Sequence, residues 1–290
     1  MKNFIIIANP NSGSYLGLNK IKLLQNYITS AKCNADYYLT EGPGAAYSYL
    51  KENIDKYTDV IAAGGDGLIN EISGLAQYQN FNLGLIPCGT ANVLAKEFKI
   101  PEKKILKAAD IILGENKTIL DVWSANDRPF LLFISGGLDS RAVENINLGL
   151  KKKIGKLSYV YSFLKEFIFY KINYCKIQHD TGTVATGQFF ISNIGKYAGD
   201  YIINPYAKYS DGKIELVYFK NPQKIKYISF VINLLLKKNI AKLDFIDIVS
   251  SEYFKISCDM AMPVQFDGEN GLHTPITVKK LSGKILLAVP

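Results

Sequence analysis

Histidine is nearly absent from this chain: His179 and His273 are the only two among 290 residues. A Ser-His-Asp nucleophile or a histidine metal centre lacks its raw material, and both histidines read as ordinary surface or loop residues. Cysteine is also sparse. Cys33, Cys88, Cys175 and Cys258 stand far apart with no CxxC pair, which argues against structural zinc or a disulfide framework and fits a reducing compartment. There is no Walker A sequence, no GxGxxG, no protein-kinase glycine loop and no His-Arg-Asp segment. No stretch approaches the roughly 18 consecutive, predominantly apolar residues of a membrane span. The apolar run Phe4–Ala8 is too short for a signal-peptide core and runs straight into Asn9-Pro10, so it reads as a first buried strand.

What is present is a chain 48% apolar, enough for a large core and for two domains. Its net charge of +8, from 34 Lys and Arg against 26 Asp and Glu, is spread out apart from Lys151-Lys152-Lys153. Such charge suits an anionic membrane or a nucleic acid, or needs no partner at all; no basic–aromatic RNA-binding pattern accompanies it. The segment nearest to a membrane span, Tyr227–Leu236, is short, contains Asn233 and is bracketed by Lys224, Lys226, Lys237 and Lys238. It reads as a helix packed on the core, or as an interfacial helix with its lysines at headgroups.

Up to about residue 120 the pattern alternates. Strands are expected at Phe4–Ala8, Ala35–Leu39, Asp59–Ala63 and Leu83–Ile86, and helices at Lys20–Ile28, Ala45–Tyr57, Leu68–Ala76 and Ala91–Phe98. This rhythm predicts an α/β layer with a mostly parallel sheet, whose ligands gather at the carboxyl ends of the strands. From Asp121 onward strand-like segments dominate: Phe130–Ile134, Val184–Ser192, Ile214–Phe219, Tyr253–Ser257, Val264–Asp267, Ile276–Val278 and Lys284–Val289. Helices are expected only at Leu157–Ile172 and Ile225–Leu236, so the second domain reads as a β-sandwich. The expected division is 1–121 and 122–282, with the change of texture at Asp121.

The most informative segment is Gly64-Gly65-Asp66-Gly67, between an apolar β-branched run and a helical pattern. A loop stripped of side chains ahead of a helix lets backbone N–H groups approach a phosphate. Asp66 inside that anion cradle calls for a cation or a proton to transfer. Three other turns follow strands: Asn9-Pro10-Asn11-Ser12-Gly13, Thr40-Glu41-Gly42-Pro43-Gly44, and Pro87-Cys88-Gly89-Thr90-Ala91-Asn92, in which Thr90 can cap the next helix or bind a phosphate oxygen. Singly each is an ordinary turn; in series they predict a phosphate-binding rim. Far away lies Gln265-Phe266-Asp267-Gly268-Glu269, a hairpin turn by default. Phosphoryl transfer to a hydroxyl needs a metal at the phosphates and a carboxylate for the proton, tasks that Asp66, Asp267 and Glu269 can divide if the fold unites them. Asp211-Gly212 reads as a second turn, with a hard-cation site as the alternative.

Taken together, Asn9–Gly13, Thr40–Ala46, Gly64–Glu71, Ile86–Ala95 and Gln265–Glu269 resemble the bacterial diacylglycerol kinase family, which also includes sphingosine and ceramide kinases. The likeness is collinear from residue 4 to Pro290. It implies an N-terminal domain like those of NAD kinases and phosphofructokinases, completed by the last strand at 283–290, a C-terminal β-sandwich, and use of ATP and Mg²⁺ to phosphorylate a lipid hydroxyl. By resemblance Asn9, Thr40, Gly64, Gly65, Asp66, Gly67, Asn70, Gly89 and Thr90 fall at nucleotide-binding positions, and Glu269 with Asp267 at the proton-accepting carboxylates. A structural Mg²⁺ is implied at Asp211 with the carbonyls of Lys208 and Lys213. The resemblance further implies a cytoplasmic protein touching the inner face of a membrane to reach its lipid, no nucleic acid, and a homodimer as an allowed assembly. Two departures stand out: Leu68 replaces a threonine common in bacterial members, and the first turn continues as Ser14-Tyr15-Leu16-Gly17. Competing expectations are a kinase of a sphingoid base or of NAD, and a lipid-binding regulator without catalysis. Among lipids, diacylglycerol, phosphatidylglycerol, monoacylglycerol and a sphingoid base all remain open, because apolar pockets discriminate weakly per methylene.

Overall fold

The computed structural model describes residues 2–10, 17–145, 157–269 and 271–290. Asn11–Gly13 of the first turn and the Lys151–Lys153 run lie outside the described residues.

Strands β1 (Asn3–Ala8) and β3 (Asp59–Gly64) are buried at almost every position, as central strands covered on both faces must be. β2 (Asn34–Leu39), half-exposed, forms the edge, and β4 (Phe81–Pro87) extends the sheet on the other side. The order β2-β1-β3-β4 is parallel throughout. Helices α1 (Leu18–Ser30), α2 (Ala45–Asn53), α3 (Asp66–Ser73), α4 (Val93–Glu97) and α5 (Ile105–Leu113) accompany it. α1 turns Ile21, Leu24 and Ile28 to the core, matching their helical spacing. α5 presses Ile112 against Gly84 of β4, where an added Cβ would lie 2.6 Å from it.

Beyond β4 the sheet continues with β17 (Ile276–Ala288). Ile276–Val278 and Lys284–Val289, which read as two strands, belong to this one element. Ile285–Leu287 pair in parallel with β4, whereas Ile276–Lys279 pair antiparallel with β15 (Tyr253–Cys258). The register against β5 (Lys117–Ala125) shifts between Lys280 and Lys284. β6 (Arg128–Phe130), β8 (Cys175–His179) and β9 (Gly182–Thr186) complete ten strands, and β11 (Lys196–Tyr197) pairs with β12 (Tyr201–Ile202) in a separate ribbon.

A second, antiparallel sheet has the order β14 (Ile246–Ser251), β13 (Ile214–Phe219), β10 (Phe189–Ser192), β7 (Phe133–Gly136), β16 (Val264–Phe266). Trp123, Phe130, Ile177 and Phe254 of the large sheet share one core with Ile134, Phe189, Leu216 and Phe266 of the small one. The fold is therefore an α/β layer with a mostly parallel sheet, joined to a β-sandwich. Helices α6 (Leu138–Glu144), α7 (Leu157–Phe169) and α8 (Lys224–Leu235) flank it. Among the described residues no helix is long and apolar enough to cross a membrane.

Several sequence expectations are corrected. Phe130–Ile134 is not one strand: the chain leaves β6 at Phe130 and enters the other sheet at Phe133. Val184–Ser192 likewise breaks at Gly187, where Ile172 would lie 2.3 Å from an added Cβ. The Ala91–Phe98 helix shortens to Val93–Glu97 because Asn92, at φ +47°, precedes it. His179 is neither surface nor loop: it is buried in β8, with Nδ1 3.1 Å from Thr181 Oγ1 and its ring near Phe254. His273 is exposed, its Nε2 3.1 Å from Glu144. The cysteines do form a disulfide, Cys175–Cys258. These residues are 83 apart in sequence but are register partners of β8 and β15, a proximity that only strand pairing reveals.

Gly84→Ala should overpack the α5 contact and cost about 1–3 kcal/mol, lowering the urea midpoint at constant m-value. An unchanged midpoint would contradict the tight packing of Ile112 on β4.

Candidate active site

The carboxyl ends of β1, β2 and β3 open on a cleft of about 870 Å³. Asn9 after β1, Thr40 after β2, and Gly65, Gly67 and Asn70 after β3 line it, and Glu269 reaches it from the far end of the sequence. Thr40 is buried, its N–H donating to Ala8 O at 2.9 Å. Gly64 ends β3.

The turn after β4 backs this loop rather than lining the cleft. Cys88 N donates to Gly64 O at 2.9 Å, and an added Cβ on Gly89 would stand 2.5 Å from Gly65 Cα. Two glycine turns therefore touch backbone to backbone, a contact only glycine allows. Thr90 is exposed and does not cap α4; Asn92 occupies the N-cap position.

Asp66 opens α3 and turns its carboxylate toward α4, accepting Leu94 N at 3.3 Å. Burial pushes this carboxyl above the usual range, opposed by the N–H groups of Val93 and Leu94 and by the charge of Lys96. Asp267 lies close enough for Asp66 to act on it electrostatically. Its Oδ1 accepts Phe133 N at 2.8 Å and Leu132 N at 3.2 Å, and Oδ2 accepts Leu131 N at 3.3 Å. Burial, with repulsion from Asp66, raises it to about 7 against those N–H contacts.

Asp267 and Gly268 have φ of +50° and +85°, and Phe266 and Glu269 exchange backbone hydrogen bonds of 3.0 and 2.8 Å across them. This is the Asp-Gly hairpin turn that the residues alone suggest. The turn delivers Glu269 to the glycine loop: its Oε1 lies 3.0 Å from where a Cβ on Gly67 would stand.

Two residues that sequence reading missed, Ser135 and Asp139, support this turn through Gln265. Gln265 Oε1 accepts Gly268 N at 2.7 Å, while its Nε2 donates to Ser135 Oγ at 2.8 Å and Asp139 Oδ2 at 3.3 Å. Asp139 also accepts the hydroxyls of Ser135 and Tyr197, and burial raises its carboxyl above the usual range. Ser135 and Gln265 stand 130 residues apart, so no local motif marks the group.

A diacylglycerol kinase catalytic domain model matches residues 3–125, and a YegS C-terminal NAD kinase beta sandwich-like domain model matches residues 133–289, more than half of the chain. The chain belongs to the bacterial diacylglycerol kinase family. It is similar to diacylglycerol kinases of Bacillus subtilis (strain 168), at 26% identity over 100% of this chain and 97% of that one, and of Staphylococcus aureus (strain Newman), at 27% over 98% and 91%. The crystal structure of a diacylglycerol kinase from Bacillus anthracis str. Sterne, 21% identical, shares the fold with a TM-score of 0.76 over 100% of this chain and 97% of that one.

For a member of this lipid-kinase family the charge of the cleft is telling. Glu41, Glu71, Asp127 and Glu269 line it against Arg128. A polyphosphate entering such a cleft would need positive charge beyond that of Arg128. At the other expected metal position, Asp211 Oδ1 accepts Lys213 N at 3.0 Å, closing a turn around Gly212 (φ +77°). Lys208 is exposed there. Asp121, unnoticed in the sequence, holds this turn from below by accepting Gly212 N at 2.8 Å. Its Oδ1 is buried without a hydrogen bond, with Lys280 and Lys284 amines at 3.7 and 3.8 Å. Among the described residues no cluster of three or more His, Cys, Asp or Glu could hold a metal.

Asp267 makes a pH test available. Its folded value of about 7 exceeds the ordinary 3.8, so its contribution to stability is complete below that ordinary value and is lost as pH rises through about 7. The stability of wild type relative to Asp267→Asn, from urea midpoints, should fall steadily from about pH 4 to 7. A difference independent of pH would contradict the buried, repelled carboxyl.

Proposed function

We propose that this protein transfers the γ-phosphate of ATP to the hydroxyl of diacylglycerol or a related lipid, working in peripheral contact with a membrane. One observation carries the reading: Glu269 stands over Gly67, at the loop whose N–H groups suit a phosphate. The phosphates would bind the Gly65–Leu68 backbone at the positive end of α3. Mg²⁺, when bound, supplies the positive charge that a polyphosphate needs among these carboxylates. Glu269, Asn9, Thr40 and Asn70 line the cleft and would face the nucleotide and its ion, whereas Asp66 turns its carboxylate to α4 at the base of the loop.

Glu269 is the group placed to take the hydroxyl proton. Its carboxylate faces the cleft, whereas both oxygens of Asp267 accept backbone N–H groups. As the proton passes to Glu269, the lipid oxygen bonds to the γ-phosphorus and the bond to the bridging oxygen of ADP breaks. Asp267 holds the turn. A cation at the 208–213 turn would rest on Asp211 and the carbonyls of Lys208 and Lys213.

The test offers labelled ATP and Mg²⁺ with total lipid extract, and separately with NAD, followed by mass spectrometry of the products. Label should enter lipid and not NAD. Glu269→Gln should lower kcat by about 10²–10⁴-fold at an unchanged melting temperature. Asp66→Asn should also lose transfer, and additionally about 0.5–2 kcal/mol of stability through its contacts to α4. Wild-type turnover in Glu269→Gln, or label in NAD alone, would overturn the proposal.

A further inference from the structure

Glu97, the last residue of α4, reaches out of its own domain. Its Oε1 accepts Gly195 N at 3.2 Å and the Tyr209 hydroxyl at 2.6 Å, and its Oε2 accepts Lys196 N at 3.0 Å. A carboxylate at a helix C-terminus faces the negative end of the helix and is disfavoured there. Three donors from the sandwich half offset that cost, since hydrogen bonds to an ionised acceptor are the strong ones. The fit is close: an added Cβ on Gly195 would lie 3.2 Å from Glu97 Oε1. Phe98 adds an edge-on contact with the Tyr209 ring, centroids 4.9 Å apart.

Each side of this clamp leads to one half of the site. On the α4 side, Leu94 N is given to Asp66 at the base of the glycine loop. On the β11 side, Tyr197 follows Lys196 directly, donates its hydroxyl to Asp139 and packs its ring on Phe133 at 5.0 Å. Asp139 accepts Gln265 Nε2, and Gln265 Oε1 accepts Gly268 N, the residue before Glu269. Asn193 ties the same segment to the strand crossing: its N–H donates to Leu132 O at 2.8 Å and its Nδ2 to Leu131 O at 2.9 Å. Leu131 and Leu132 are also donors to Asp267.

We propose that Glu97 is a positioning residue for phosphoryl transfer: by pinning β11 to α4 it fixes the separation between the Gly65–Leu68 loop and the Glu269 carboxylate. Glu97 stands outside the residues that line the cleft, so it acts through the backbone it holds. Reacting groups must be kept within a narrow range of distance, and a displacement of about 1 Å costs about 10²-fold in rate. The kinetic part of this inference rests on the lipid-kinase reading. Its structural part is measured without ATP, so the two can fail separately.

The experiment pairs amide hydrogen exchange on the full chain with steady-state kinetics. Glu97→Ala should speed exchange at Gly195 and Lys196 and, through Tyr197 and Gln265, at Gly268 and Glu269 as well. Its kcat for lipid phosphorylation should fall about 10- to 100-fold while KM for ATP stays within about twofold of wild type. Glu97→Gln, which keeps one acceptor oxygen, should recover part of that loss. Tyr197→Phe should also lower kcat, and the double variant with Glu97→Ala should fall no further than the worse single one, because both cut the same connection. Gly84→Ala, which loosens the sheet away from the clamp, should keep wild-type kcat and so separates positioning from lost stability. Faster exchange confined to Gly195 and Lys196 overturns the proposal, as does wild-type kcat in Glu97→Ala. Faster exchange at Gly268 in the variant, with no lipid phosphorylation by wild type, would sustain the connection and sink the kinase reading alone.

Discussion

The carboxylate of Asp267 is the constraint on which the site depends. It collects the N–H groups of Leu131, Leu132 and Phe133, where the chain passes from the large sheet to the small one. Such a crossing leaves backbone donors without a ladder partner, and one buried carboxylate satisfies three of them. The same residue occupies the first positive-φ position of the hairpin turn that points Glu269 at Gly67. Burial raises both this carboxyl and that of Asp66, and the charge of Asp66 adds to the cost at Asp267. A folded chain keeps such an arrangement only where surrounding contacts hold it, and here the Gln265 and Asp139 hydrogen bonds do so.

The strand β17 makes this closeness of distant residues routine. It pairs with β4 in parallel, and with β15 and β5 antiparallel, so the nucleotide-type sheet and the sandwich share one continuous ladder. Residues 267–269, some 200 positions from the glycine loop, are thereby fixed against it. Glycine provides the complementary concession. Gly65 and Gly89 meet where no Cβ fits, and Gly67 leaves room for the Glu269 carboxylate.

Much of this was legible in the sequence, for identifiable reasons. The parallel half was visible because Ile5–Ile7 and Val60–Ala63 are buried on both faces and therefore form unbroken apolar runs. The glycine turn and the Asp-Gly hairpin were visible because each needs particular residue types at adjacent positions. Features set by partners remote in sequence were hidden. Phe130–Ile134 alternates like a strand, yet the Asp267 carboxylate captures its middle. The Cys175–Cys258 pairing follows only from the register of β8 and β15. Asp139 and Asp121 look like any other aspartates until the fold buries them beneath turns. Thr90 resembled a cap, but Asn92 took that position by adopting a left-handed backbone.

The central claim is that the Gly65–Leu68 backbone grips phosphate with Glu269 facing it across the cleft. Amide hydrogen exchange with and without a non-hydrolysable ATP analogue and Mg²⁺ tests this most directly. The account predicts slower exchange at Gly65–Leu68 and around Glu269 when the analogue is present, with the exposed face of α8 unaffected. Unchanged exchange in the glycine loop, with protection appearing elsewhere on the surface, would contradict it.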